Sequence, residues 1–145
     1  MATSENALKL PFARTAVEMA MQKQGRDFVY APTPGPCMYV PVDDPRTGVV
    51  VGYGPLNDSV KKTGCLVGEA LALLGLRTDE VASRGGSVYS LWSDGRVAMT
   101  EQTREYLQIV QDVQDRGGTW GEAFDKAESE VERIKRNFRD SRTPQ

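Results

Sequence analysis

Apolar residues recur along much of this chain at intervals of three and four, the spacing that places them on one face of a helix. One segment that is apolar on nearly all sides and ends at Gly75 is expected to be a buried helix. Pro11 suits a first helical turn, and Thr100 is a good N-cap for a later helix. The pattern predicts main helices over about 12–24, 65–74, 101–116 and 120–138.

The residues between the first two helices predict β-structure. Two apolar runs, 37–42 and 49–54, flank a segment at 43–48 with strong turn chemistry, and Pro41 marks an edge strand. Because a lone hairpin is marginal in water, it is expected to pack on the helices. The predicted fold class is α+β, mainly helical, with about four helices and a short β-hairpin. A short helix over about 79–84 and a turn over 93–95 complete the prediction.

A corner between two helices is the clearest local signal. Gly117 or Gly118 can adopt the left-handed conformation that ends a helix. Thr119 and Glu122 match the capping box, in which each side chain satisfies a free backbone N–H of the next helix. Trp120 follows at once as a large apolar anchor. The pattern predicts where the last helix begins. None of its residues indicates a catalytic or ligand-binding role.

Length and charge set the broad class. A chain of 145 residues is expected to form a single domain over 1–145, with 1–10 and 140–145 poorly ordered. The net charge of −2 favours neither nucleic acid nor an anionic membrane. No apolar run approaches the roughly 18 residues needed to span a bilayer, and the N-terminus lacks the pattern of a secretion signal. These features predict a cytoplasmic protein that does not contact a membrane.

The chain contains no histidine. Imidazole general bases, Ser-His and Cys-His pairs and histidine metal ligands are therefore excluded. The glycines at 52 and 54 lack the frame of a phosphate-binding loop and indicate a turn. Chemistry by carboxylate, lysine or tyrosine side chains stays open, as does catalysis by a metal held by oxygen ligands. With the commonest sites excluded, we expect no enzyme, no catalytic residues, no cofactor and no metal.

Large apolar residues of the last helix follow a heptad spacing, which predicts a seam that packs on another helix. The partner helix could belong to this chain, to a second copy or to another protein. The candidate partner interface comprises Phe124, Val131, Ile134, Lys135 and Phe138. The end of the same helix is basic, which would suit an acidic partner, a phosphate backbone or simply the helix dipole.

Cys65 and Glu69 lie on one side of the second helix and could line a pocket. Glu69 is the one charge in that helix, so it is either solvated, paired with arginine or a site residue with a raised pKa. Cys37 and Cys65 could form a disulfide, supply half a zinc site or simply be small buried side chains. Cys65, near a helix N-terminus, could also have a lowered pKa and be reactive. The sequence leaves these alternatives open.

Two motifs together resemble small uncharacterised proteins of actinobacteria and their phages. They are the Cys-Leu-Val-Gly run that starts at Cys65 and the Gln-Asp-x-Gly-x-x-Trp-Gly-x-Ala run at 114–123, with Cys-x-Tyr at 37–39 upstream. In that family the position of Glu69 is often histidine, so the role of that histidine does not carry over. The resemblance implies a compact cytoplasmic protein, phage-encoded and acting on host machinery.

Three functional hypotheses follow. The first is a non-enzymatic phage or actinobacterial protein that binds a host protein, or itself as a homodimer, through its C-terminal helix. The second is a small-molecule or nucleotide-binding protein with a pocket near Glu69. The third is a DNA-binding regulator that uses the basic end, although no stacking platform or recognition helix supports contact with nucleic acid.

Overall fold

The computed structural model describes residues 7–29, 65–76 and 88–140. These residues are mainly helical and contain six helices, more than the four expected. The helices are α1 (Leu10–Gln24), α2 (Leu66–Leu73), α3 (Val88–Ser93), α4 (Glu101–Asp115), α5 (Trp120–Ser129) and α6 (Val131–Asn137). The predicted β-hairpin at 37–54 and the short helix at 79–84 lie outside the described residues, as do most of the predicted frayed ends.

The predicted starts of the long helices are largely confirmed. Helix α1 begins at Leu10, two residues earlier than the pattern indicated, with Pro11 in its first turn. At the start of α4, the Thr100 hydroxyl oxygen accepts the backbone N–H of Thr103 at 3.1 Å, the N-cap that the sequence predicted. Helix α3 was not predicted, but the turn at Asp94 directly follows it.

The prediction of one unbroken helix from 120 to 138 is wrong at Glu130, where φ is −99° and ψ is 0°. The Ser129 hydroxyl donates to the Lys126 carbonyl at 2.6 Å, the carbonyl that the Glu130 N–H would use in a regular helix. That N–H donates to Ala127 O at 3.1 Å, one residue closer. A serine side chain that competes for a backbone carbonyl is a recognised cause of helix bending. The heptad seam is therefore divided between α5 and α6.

Helix α4 is the centre of the described fold and packs against all five other helices. Its apolar face carries Tyr106, Leu107 and Val110, each at most 1% exposed. Trp120 at the start of α5 is fully buried and meets the ring of Phe28 edge-on, at 4.7 Å between centroids. Burial of large side chains of this kind is the main source of stability in such a domain.

The corner between α4 and α5 has the predicted geometry. Gly117 has a φ of +93°, the Gly118 N–H donates to Val113 O at 3.0 Å, and the Gly117 N–H donates to Gln114 O at 3.0 Å. These two bonds define a Schellman motif. Thr119 and Glu122 form the complete capping box. The sequence therefore encodes this corner locally.

Two buried glutamine side chains of α4 hold the starts of α2 and α3. Gln114 Oε1 accepts the backbone N–H of Leu66 at 2.7 Å, and Gln111 Oε1 accepts that of Val88 at 3.0 Å. The first N–H groups of a helix lack partners within the helix, so each amide satisfies one of them from a distance. Both glutamines are 2% exposed. Helix α4 thus caps two neighbouring helices as well as packing on them.

Candidate functional site

Helix α5 lies between α1 and α4, and a groove runs along each of its two flanks. The groove on the α1 side, here called the α1 groove, has a volume of about 310 Å³. The cleft on the α4 side, here called the α4 cleft, has a volume of about 210 Å³. The α1 groove is lined by Pro11, Arg14, Thr15, Glu18, Phe124 and Glu128. The α4 cleft is lined by Ile109, Asp112, Val113, Arg116, Lys126, Glu130 and Arg133.

A hydrogen-bonded triad joins the two walls of the α1 groove. Arg14 Nε donates to Glu128 Oε2 at 3.0 Å and Arg14 Nη2 donates to Glu128 Oε1 at 2.7 Å, so the ion pair is bidentate. The Tyr106 hydroxyl, which approaches from the buried side, donates to Glu128 Oε2 at 2.6 Å. This arrangement ties α1, α4 and α5 together at one carboxylate.

The charge states of this triad are fixed at neutral pH. The hydrogen bonds from Arg14 lower the pKa of the Glu128 carboxyl group, although burial opposes them. Burial, followed by the hydrogen bond to Glu128, raises the pKa of Tyr106 far above its usual range. Glu128 therefore remains a carboxylate and Tyr106 remains a phenol. The triad supplies fixed geometry and charge, and no group in it gains or loses a proton near pH 7.

Two large apolar side chains of α1, the helix that supplies one wall of the α1 groove, stay exposed. Phe12 is 63% exposed and Met19 is 52% exposed, and they lie seven residues apart, on one face of α1. Phe124 of α5 is partly buried and lines the groove. Glu18 also lines it, and it forms no ion pair with any described residue. The face combines an apolar surface with one uncompensated carboxylate.

The residues predicted to form a partner interface do not share one surface in the structure. Val131 and Ile134 are buried within the chain, at 5% and 0% exposed. Phe124 lines the α1 groove, and Lys135 is exposed on α6. Phe138 packs on the guanidinium group of Arg104, 5.4 Å from its ring centroid. Most of the apolar seam therefore packs on other helices of the same chain.

The residues of the second candidate pocket lie at the start of α2. Cys65 is fully buried and disulfide-bonded, so it is not a reactive thiolate in this structure. It is also the N-cap of α2, and its Sγ accepts the Gly68 N–H at 3.5 Å. The other cysteine of the chain, Cys37, lies outside the described residues. Glu69 is half-buried and has an interaction partner. It lines neither the α1 groove nor the α4 cleft.

Within the described residues, ion pairs hold most of the cations at the basic end of the last helix. Arg133 binds Glu105 and Glu130, and Arg139 binds Glu101 across the start of α4. Ion pairs of this kind reduce the positive charge offered to a phosphate backbone. These contacts join the chain terminus to α4, and they give the predicted interaction with DNA no extra support.

Sequence reasoning did not identify the triad of Arg14, Tyr106 and Glu128. Arg14 and Glu128 are separated by 114 positions, so no local spacing links them. Twenty-two positions separate Tyr106 from Glu128, so their hydrogen bond was not foreseen either. The one available signal was that a buried tyrosine hydroxyl needs a hydrogen-bond acceptor.

The described residues include no helix long and apolar enough to span a membrane. Within the same residues, no group of three or more aspartate, glutamate or cysteine side chains could hold a metal ion.

Comparison with known proteins finds no matching family model, no matching curated protein and no matching solved structure. The resemblance to small actinobacterial and phage proteins therefore stays a prediction that depends on the sequence motifs alone.

Proposed function

We propose that this protein is a non-catalytic interaction protein, and that it binds another protein through the α1 groove and the exposed face of α1. The observation that carries the proposal is the exposure of Phe12 and Met19 on one face of α1, a helix whose residues Pro11 and Glu18 line a groove with Phe124. Exposed apolar surface marks interaction sites in soluble proteins when it is concentrated in one region. The C-terminal half still contributes, because α5 supplies one wall of the groove.

The triad beside the groove supports binding rather than proton transfer. A general acid or base works best with a pKa near the working pH, and the pKa values of Glu128 and Tyr106 are displaced away from it. A bidentate ion pair instead holds two helices at a fixed separation. Arg14 and Glu128 therefore preorganise the groove walls, which reduces the entropy lost when a partner binds.

The chemistry of the groove specifies the kind of partner. Pro11 and Phe124 offer apolar contact for an inserted side chain, and Glu18 offers a carboxylate that no described cation neutralises. A partner that presents an apolar anchor next to a lysine or arginine would complement both features. If the chain is phage-encoded, as the motif resemblance implies, that partner is a cytoplasmic host protein.

The test is affinity capture with the intact wild-type chain and three single variants of it. Phe12→Asp and Met19→Asp should each reduce recovery of the partner, since a charge on this face disfavours an apolar contact. Leu73→Asp is the matched control, because Leu73 is an apolar residue 45% exposed on α2. Circular dichroism should show that all three variants stay folded, since each site is exposed.

Sedimentation of the purified chain completes the test, because it distinguishes a foreign partner from a second copy. A monomer that captures one partner, and loses it on Phe12→Asp, supports the proposal. A stable homodimer that Phe12→Asp dissociates would replace the foreign partner with a second copy. Equal capture by wild type, Phe12→Asp and Met19→Asp would eliminate this surface as the binding site.

A further inference from the structure

One arginine of α4 lies among three aromatic rings. The Cζ atom of Arg104 lies 4.6 Å from the ring centroid of Trp92 and 5.7 Å from that of Tyr89, both on α3. It lies 5.4 Å from the ring centroid of Phe138, the residue that follows α6. Cation–π contacts at these distances stabilise the position of a guanidinium group. These four residues, here called the Arg104 cluster, therefore join α3, α4 and the end of α6 around one cation.

Among the half-buried arginines that the structure describes, Arg104 is the one that no carboxylate binds. Arg14, Arg96 and Arg133 are half-buried too, and each forms an ion pair. The guanidinium group of Arg104 forms no ion pair and donates no hydrogen bond to any described residue. The aromatic rings contact the cation through its charge, so its N–H donors remain open to an oxygen acceptor.

The nearby carboxylates of α4 already hold other cations. Glu101, three positions before Arg104, accepts hydrogen bonds from the side chain and the backbone N–H of Arg139. Those bonds hold the pKa of the Glu101 carboxyl group below its usual range, and the charge of Arg104 contributes least to that shift. Glu105, the residue after Arg104, binds Arg133. Neither carboxylate therefore neutralises Arg104.

This arrangement suits a carboxylate better than a phosphate group. The edge of a guanidinium matches the two oxygens of a carboxylate, and one cation balances its single charge. A phosphate dianion would bring two negative charges to one cation, with Glu101 close enough to act on that cation. The ring of Tyr89 is 55% exposed, so an apolar group next to the bound carboxylate would have a surface to cover.

A protein is the occupant that gains most from such an open surface. An ion pair left in water contributes little, but one that a partner covers is strengthened because water is excluded. Tyrosine, tryptophan and arginine are the residues enriched at the centres of protein interfaces. The Arg104 cluster combines all three with Phe138, a residue of the partner interface that the sequence predicted.

We propose that the Arg104 cluster binds a partner protein, with Arg104 donating two N–H groups to an aspartate or glutamate of the partner and Tyr89 packing on an apolar neighbour of that residue. Trp92, which is 6% exposed, supports the guanidinium from the core side. The inference goes beyond the proposed function, because none of these residues lines the α1 groove and neither surface requires the other.

The experiment screens an array of random heptapeptides with the intact chain at physiological salt, and then measures the Kd of the strongest binder by fluorescence anisotropy. Bound peptides should share an aspartate or glutamate next to an apolar residue. Arg104→Gln should weaken the strongest binder about tenfold, since a charge-assisted hydrogen bond is lost. Arg104→Lys keeps the charge without the paired N–H donors, so it should recover only part of the affinity.

Arg136→Gln is the matched control and should leave the Kd unchanged. It removes an exposed cation of α6 that forms no ion pair with a described residue. Circular dichroism should show that each variant stays folded. Tyr89→Ser should weaken binding as well, and because its side chain is exposed it tests the surface even if Arg104→Gln unfolds the chain.

Several results would overturn the proposal. They are the absence of any bound peptide, equal weakening by Arg136→Gln, and equal affinity for a peptide in which the amide replaces the carboxylate. Displacement of the peptide by inorganic phosphate as effective as that by unlabelled peptide would indicate a small-anion site instead. Phe12→Asp should not affect this binding, so failure here and failure of the α1 groove are distinguishable.

Discussion

The side-chain oxygen of Gln114 accepts the first backbone N–H of α2, from Leu66, at 2.7 Å. Forty-eight positions separate the two residues, and both are buried. A helix start that is buried needs an acceptor for its N–H groups, because water cannot reach them. Helix α2 therefore begins with an N–H group whose acceptor is a side chain of α4.

We expect Gln114→Leu to lower the free energy of unfolding by about 1–3 kcal/mol, since it leaves a buried N–H without an acceptor. Urea unfolding followed by circular dichroism measures the change. Gln108→Leu is the matched control: Gln108 Oε1 accepts the Tyr89 N–H at 3.2 Å, but that contact is exposed and water can replace it. Equal effects of the two substitutions would show that buried capping is not the cause.

The corner at the start of α5 requires glycine for two different reasons. A Cβ on Gly121 would lie 2.9 Å from Arg26 Cβ and 3.0 Å from Arg26 O, and the Gly121 N–H holds that carbonyl at 2.8 Å. Gly117 has nothing within 4 Å of such a Cβ, but its φ is +93°. A larger residue at position 121 is disfavoured by lack of space, and one at position 117 is disfavoured by the backbone conformation.

We therefore expect Gly121→Ala to cost about 1–3 kcal/mol through overpacking. Gly117→Ala should cost about 1 kcal/mol through backbone strain. Asparagine tolerates the left-handed region, so Gly117→Asn should recover most of the loss, whereas Gly121→Asn should not. Thermal or urea unfolding of the four variants measures this. Recovery at position 121 would contradict the steric explanation.

The triad of Arg14, Tyr106 and Glu128 should contribute measurably to stability. Glu128→Ala removes a bidentate partner from Arg14 and leaves the buried Tyr106 hydroxyl without its acceptor. We expect a loss of about 2 kcal/mol, below the value for a fully buried pair because Arg14 and Glu128 are 36% and 26% exposed. Glu128→Gln keeps a carbonyl acceptor and should lose about half as much as the alanine variant.

Asp125→Ala is the control for the triad prediction. Asp125 also forms an ion pair with an arginine, Arg26, but its side chain is 61% exposed. Its removal should change the unfolding free energy by less than about 0.5 kcal/mol. If Asp125→Ala destabilised the chain as much as Glu128→Ala, the triad would have no special structural role.

Stability should fall in acid, in part through two carboxylates that form ion pairs with arginines distant in sequence. Hydrogen bonds from Arg14 lower the pKa of Glu128, and the hydrogen bond from Arg139 lowers the pKa of Glu101. Each folded pKa lies below its unfolded value of roughly 4.3, so the unfolded chain binds more protons in that range. The stabilisation is complete above the unfolded pKa and is lost as the pH falls through the folded pKa.

Urea unfolding at a series of pH values from 7 down to 3 checks this prediction. The double variant Glu101→Gln with Glu128→Gln should start less stable at neutral pH and lose less on acidification. Glu132 is the control, because its side chain is 82% exposed, and Glu132→Gln should keep the acid slope of the wild type. An unchanged slope in the double variant would mean that other groups cause the acid loss.

The sequence predicted the local features of the fold, but it did not predict the candidate site. Thr100, Gly117, Thr119 and Glu122 act within a few residues of their own positions, so their spacing identified them. The α1 groove requires α1 and α5 to be placed side by side, and no spacing encodes that placement. The exposure of Phe12 shows the difficulty, because a large apolar residue in a predicted helix is expected to face the core and the structure leaves it in solvent.

By itself, the sequence determined where the described long helices begin, how α4 ends and α5 starts, and that most of the described chain is helical. These features depend on backbone hydrogen bonds and caps between residues close in sequence. Only the tertiary structure decided that Gln114 caps α2, that Glu128 joins Arg14 to Tyr106, and that the seam of the last helix packs within the chain. Each of these depends on which helices become neighbours, because a buried polar group must find its partner among residues far away in sequence.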